Sequence, residues 1–121
     1  MSDVENMLRK FQKELSAGTV SLLLLALMAK AKEPLYGYQI AKQLEQAGDG
    51  VLAGKQSALY PVLRNLESSG LLQSEVEPSI SGPPRRYYQI TEFGCEVFSA
   101  WRNLWQQTQT LVNNTLEGAP L

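Results

Sequence analysis

The spacing of apolar residues leaves the helical period for a single stretch of this chain, and that interruption constrains the fold more than any other feature. Up to Gly70, apolar residues recur every three or four positions, the spacing of amphipathic helices. From Leu71 to Glu77, and again from Arg86 to Ile90, the pattern shortens to strand-like runs. They flank Pro78-Ser79-Ile80-Ser81-Gly82-Pro83-Pro84, whose composition suits an exposed hairpin tip. After Thr91 the helical period returns and lasts almost to the end. The chain should therefore be mainly α with one small β-hairpin.

The helices can be placed by their start and stop signals. Ser2-Asp3-Val4-Glu5 has the spacing of a capping box, and Val4, Met7, Leu8, Phe11 and Leu15 then form an apolar stripe. Gly18 is expected to break this element, with Thr19 capping a second helix through Ala31. Leu22 to Ala29 is an unbroken apolar run. It falls short of the roughly 20 residues that a membrane span needs. It also follows a charged amphipathic stretch, unlike a signal peptide. It reads as a helix buried in a core, so no membrane partner is expected. Glu33-Pro34 stops that helix. A further helix is expected from Tyr36 to Ala47, ended by Gly48, and another from near Ser57 to Gly70. Pro61 is tolerable there only in the first turn.

Thr91, with Glu92 in the first turn, should cap a long last helix. Val97, Trp101, Leu104, Thr108 and Leu111 form one stripe along it, and Phe98, Trp105 and Val112 another beside it. The combined stripe is too wide for a small domain to cover, so a partner helix and a homodimer are expected. Cys95 should be a small buried residue on that helix.

Composition narrows the chemistry. The 121 residues include no histidine and one cysteine. No Cys/His zinc site can be built, nor a Ser-His-Asp or Cys-His catalytic group. No glycine loop suited to cradling phosphates is present, so an enzyme, a cofactor and a metal site are not expected. A single cysteine leaves no internal disulfide framework, which fits a reducing cytoplasm. The net charge is -1, which excludes a polybasic-tail mechanism but not a local basic face.

Helices followed by a hairpin is the order of a winged helix-turn-helix. The helices from Tyr36 and from Ser57 would be the two halves of the motif, and the N-terminal residues of the second would read the major groove. Those are Lys55, Gln56, Ser57 and Tyr60, with Arg64 farther along the same polar face. Glutamine suits adenine, and lysine suits guanine or phosphate. Arg85 and Arg86, beside the hairpin tip, would supply the wing contacts. The expected division is an N-terminal amphipathic helix (1–17), a winged helix-turn-helix (18–90), a C-terminal dimerisation helix (91–117) and a tail (118–121). A winged helix can also serve as a protein-interaction module without sequence-specific DNA binding, and this is the alternative reading.

Four blocks in order carry a resemblance. They are Leu35-Tyr36-Gly37-Tyr38-Gln39-Ile40, Ala58-Leu59-Tyr60-Pro61-Val62-Leu63-Arg64-Asn65-Leu66-Glu67, Gly70-Leu71-Leu72, and Gly82 through Gly94 with its Arg85-Arg86-Tyr87-Tyr88 core. Together they closely resemble the PadR family of bacterial transcriptional regulators, over about Gly18 to Trp105. The resemblance implies a winged-helix homodimer that binds a palindromic operator, usually as a repressor, and in some members is released by small aromatic effectors. By motif match, Tyr38 resembles a backbone-contacting residue. Lys55, Gln56, Ser57, Tyr60 and Arg64 resemble the recognition surface, and Arg85 and Arg86 the wing. Val97, Phe98, Trp101, Leu104, Trp105, Leu111 and Val112 would form the dimer helix. Trp105, fourteen residues after Thr91, matches a tryptophan that lines an aromatic slot between subunits in one drug-binding branch. Trp101 stands where an aliphatic residue is more usual. Both tryptophans are the candidate effector contacts, and the short last helix resembles the branch with a single dimerisation helix.

Overall fold

Ser2 opens the first helix, its Oγ accepting a hydrogen bond from the Glu5 amide at 3.1 Å. That cap satisfies one of the amides that a helix start leaves free. The computed structural model describes residues 2–48, 51 and 58–120. In it this helix, α1, runs from Asp3 to Lys30. It passes straight through Gly18, so the expected break is absent and the boundary between residues 17 and 18 falls inside one helix. Thr19 caps nothing; its Oγ1 donates to the Leu15 carbonyl one turn back, at 2.8 Å. The energies explain the difference. A helical glycine costs about 1 kcal/mol. Burying Leu24, Leu25 and Met28, none more than 2% exposed, is worth roughly 1.5–3 kcal/mol each. The downstream core carries the helix through the glycine.

The remaining elements are β1 (Leu35–Tyr36), α2 (Gly37–Ala47), α3 (Leu59–Ser68), β2 (Leu72–Glu77), β3 (Arg85–Ile90) and α4 (Glu92–Leu116). The three strands form one antiparallel sheet in the order β1-β3-β2. The hairpin pairs Leu72 with Ile90 at its base and Glu77 with Arg85 near its tip. β1 is an addition to the expected hairpin, pairing Leu35 with Tyr88 and Tyr36 with Tyr87. Two residues carry no readable period, which is why the sequence places Tyr36 in a helix instead. Pro61 is the third residue of α3, in the first turn, where its missing N–H costs least.

The core is built from Leu24, Leu25 and Met28 of α1, Ile40 and Leu44 of α2, Leu63 and Leu66 of α3, and Leu71, Leu72 and Tyr88 around the sheet. α1 is long and apolar enough to cross a membrane by length and composition, yet its apolar second half faces this core. Val97, Phe98 and Trp101 of α4 pack against the core edge. Gly94 is buried on the same helix. Cys95 falls outside that stripe and is exposed, contrary to the burial expected of it.

One junction joins these parts. Past α3 the Leu71 amide donates to the Leu66 carbonyl and the Gly70 amide to that of Glu67, both at 2.9 Å. Gly70 has a φ of 83°, the left-handed conformation that such a helix end requires. Thr91 then binds the turn from the other side. Its amide donates to the Leu71 carbonyl at 3.1 Å. Its Oγ1 donates to the Gly70 carbonyl at 2.7 Å and accepts from the Gly94 amide at 2.9 Å. A Cβ on Gly94 would overlap the Leu71 carbonyl oxygen and stand 2.8 Å from Ile90 Cγ1. Gly94→Ala should therefore destabilise the protein by about 2 kcal/mol, the scale of an overpacked core, although alanine is the better helix former. Urea unfolding measures this, and an unchanged or raised midpoint would contradict the junction.

Candidate nucleic-acid interface

Tyr36, the start of α2, the first half of α3 and the hairpin enclose an open groove of about 600 Å³. Tyr36, Tyr38, Tyr60, Arg64, Arg85, Arg86 and the wing prolines Pro83 and Pro84 are among its walls. Three arginines line it and, among the described residues, no carboxylate does. An open, aromatic, cationic groove beside a helix is suited to a polyanion's backbone.

Gly37 sets how closely α2 and α3 meet. A Cβ there would lie 2.7 Å from Tyr60 Cε1, so the glycine lets the tyrosine ring rest against the first turn of α2. Tyr60 is still 36% exposed, and one ring serves both packing and the groove wall. At the same helix start, the Tyr36 amide donates to Gln39 Oε1 at 3.0 Å.

Along the groove edge the side chains form a ladder. The Arg85 guanidinium sits 4.5 Å above the Tyr36 ring. Tyr36 stacks on Tyr38 with centroids 6.3 Å apart and planes 15° from parallel. Lys42 Nζ lies 5.9 Å over Tyr38. Tyr87 meets Tyr36 edge-on at 5.7 Å. Rings hold the two cations by their faces and leave N–H groups at the edges free for an anion. Tyr36, Tyr87 and Lys42 are not among the residues expected from the sequence. The i, i+4 spacing of Tyr38 and Lys42 would have signalled one pair. The pairing of Tyr36 with Tyr87 depends on β1, which the sequence does not show.

Arg85 and Arg86 part company because successive strand residues face opposite ways. Arg86 shares its face with Tyr88 and Ser74. Its Nη1 donates to Ser74 Oγ at 2.9 Å, and that hydroxyl donates to Glu67 Oε2 on α3. Tyr88, only 5% exposed, lies beneath. Burial pushes its phenol above the ordinary value and the Glu67 carboxylate adds to this, against the opposing pull of Arg86 and Arg64.

The structure thus brings Tyr38, Tyr60, Arg64, Arg85 and Arg86 to one groove. Lys55, Gln56 and Ser57 lie outside the described residues. The expected dimer stripe divides: Val97, Phe98 and Trp101 pack on the chain's own core. Leu104, Trp105, Leu111 and Val112 are exposed. A second, apolar groove of about 480 Å³ runs between α1 and α4, with Gly18, Leu22, Trp101 and Trp105 among its walls. No group of metal-binding side chains occurs among the described residues.

Residues 24–100 match the family model of the PadR-like transcriptional regulators. The chain belongs to the PadR-like family. No curated protein matches this PadR-like chain, but solved structures do. A PadR family transcriptional regulator from Eggerthella lenta is similar at 33% identity with a TM-score of 0.80, covering 96% of this chain and 97% of that one. A PadR-like regulator from Bacillus cereus shares 27% identity with a TM-score of 0.71, over 88% of this chain and 100% of the other. A PadR family regulator from Clostridium difficile shares 27% identity with a TM-score of 0.69, over 82% and 99%. The PadR-like chain is a winged-helix transcriptional regulator that binds DNA.

The fit of Tyr60 on Gly37 can be checked by a double-mutant cycle. Gly37→Ala should cost about 1 kcal/mol through the displaced ring. Added to Tyr60→Ala it should cost nothing further, because the obstructed ring is gone. Additive losses in urea unfolding would show that the two residues do not meet.

Proposed function

We propose that this PadR-like regulator is a cytoplasmic homodimeric repressor that reads a palindromic operator through the groove between α3 and the wing. The observation that carries the reading is the convergence of Tyr38, Tyr60, Arg64 and Arg85 on one groove free of described carboxylates. The ladder of Arg85, Tyr36, Tyr38 and Lys42 supplies phosphate contacts along its edge. Lys55 and Gln56, which precede α3 in the sequence, supply the base contacts in this reading. The decisive measurement is anisotropy titration of a duplex from the region upstream of the protein's own coding sequence. Arg85→Ala should weaken binding on every sequence and lower the slope of log K against log salt by about 1.8 for the dimer, one phosphate's worth per subunit. Gln56→Ala should leave that slope alone and lose about 1–3 kcal/mol of discrimination at one base pair. No binding by the wild type at low salt would overturn the reading.

The dimer rests on exposed apolar side chains. Val4, Met7, Leu8, Phe11 and Leu15 of α1 are each at least 50% exposed, as are Leu104, Leu111 and Leu116 of α4. A second copy laid along both helices removes this surface from water. Light scattering should return twice the 13.4 kDa chain mass, and Trp105→Ala should shift the population toward monomer at micromolar concentration. An unshifted dimer would place Trp105 outside the interface.

The apolar groove between α1 and α4 suits a planar aromatic effector stacked on Trp101 and Trp105. Its occupation would change how the two α4 helices meet, and so release the operator. Titration with planar aromatic amines and carboxylates should quench tryptophan emission in the wild type and less so in Trp105→Phe. Equal quenching in both would remove Trp105 from the site.

A further inference from the structure

Two adjacent arginines on the wing invite the same role, yet their surroundings differ. Arg85 rides on the Tyr36 ring at the groove edge. Arg86, which also lines the groove, projects from the opposite face of β3 and points its Nη1 at Ser74 Oγ, 2.9 Å away. The Ser74 hydroxyl has one proton, and that proton goes to Glu67 Oε2. The hydroxyl is therefore used in both senses, accepting from a cation and donating to an anion. Hydrogen bonds to charged partners are the strong kind. Glu67 stands in the last turn of α3, Ser74 on β2 and Arg86 on β3. The three residues join the recognition helix to both strands of the wing.

We infer that Arg86 is a positioning residue, which fixes the wing on α3 through Ser74 and Glu67 and does not itself contact DNA. The inference rests on the DNA-reading groove proposed above. Arg85 is then the wing's phosphate contact, and Arg86 sets where that contact falls relative to the recognition helix. Groove and wing form a single reading unit, held at an angle that α3 dictates.

The test compares Arg86→Ala, Ser74→Ala and the double variant, by titrating the upstream duplex over a range of salt. Each single change should weaken binding by roughly ten-fold, the scale of one hydrogen bond to a charged group. The slope against log salt should stay at the wild-type value, because no phosphate contact is lost. The double variant should bind no worse than either single one. A slope lowered by about 1.8 in Arg86→Ala, one phosphate per subunit, additive losses, or full affinity in Ser74→Ala would each overturn the inference. Amide hydrogen exchange on the free protein gives a reading that needs no DNA. Strand amides near the wing tip should exchange several-fold faster in both single variants, with the helical circular dichroism unchanged, and unchanged exchange counts against the tether. Failure of the wild type to bind would overturn the DNA reading alone.

Discussion

The fold depends on a close approach of backbone to backbone where α4 begins. Gly94 lies so near the Leu71 carbonyl that no side chain fits between them. Thr91 binds both sides of the gap, through its amide and its hydroxyl. Four elements meet there: the end of α3, the start of β2, the end of β3 and the start of α4. A buried carbonyl that lacks a partner is costly, so this turn has one low-energy arrangement. The hairpin's orientation over α3 follows from it, and the wing's position from the hairpin.

Electrostatics in this molecule works by placement. Between Tyr36 and Tyr88, the cations Lys42, Lys55, Arg64, Arg85 and Arg86 are balanced by Glu45, Asp49, Glu67, Glu75 and Glu77. The segment that holds the proposed DNA-reading groove therefore carries no net charge. Yet the groove has three arginines, and Glu67 is occupied by Ser74. Glu75 and Glu77 line a separate recess with Pro34, Tyr87 and Gln89. A chain so balanced attracts DNA weakly from a distance and gains its affinity from shape and local contacts.

Much of this was readable in the sequence, and the failures have definite causes. The caps at Ser2 and Thr91 and the turn glycine at Gly70 act locally, so a few residues sufficed to place them. The hairpin could be read from its connector, whose prolines and glycine exclude a helix. Gly18 misled because its local penalty is outweighed by Leu24, Leu25 and Met28, which lie six or more residues away in the chain. β1 escaped because two residues cannot show a period, and only Tyr87 and Tyr88 across the sheet define it. The pair Arg85-Arg86 looked uniform in sequence. Strand alternation sends one to Tyr36 and the other to Ser74. Cys95 shows the limit of reading a helix face from residue type, since Gly94 beside it takes the buried position.

Only Thr91 separates β3 from α4, and its hydroxyl binds the turn before the wing as well as the helix after it. α4 spans about 37 Å at 1.5 Å per residue; beyond the groove it forms with α1, which reaches Thr108, its last turns are exposed. One helical turn of DNA covers about 34 Å, the same scale. Where two such chains meet along α4, the angle and register of that helix set how far apart their wings stand. In the homodimer proposed above, the spacing between operator half-sites would then be set by a helix that lines no part of the cationic groove. In that proposed dimer, a change of one residue in its register would alter which half-site spacing fits, with the groove's own side chains left in place.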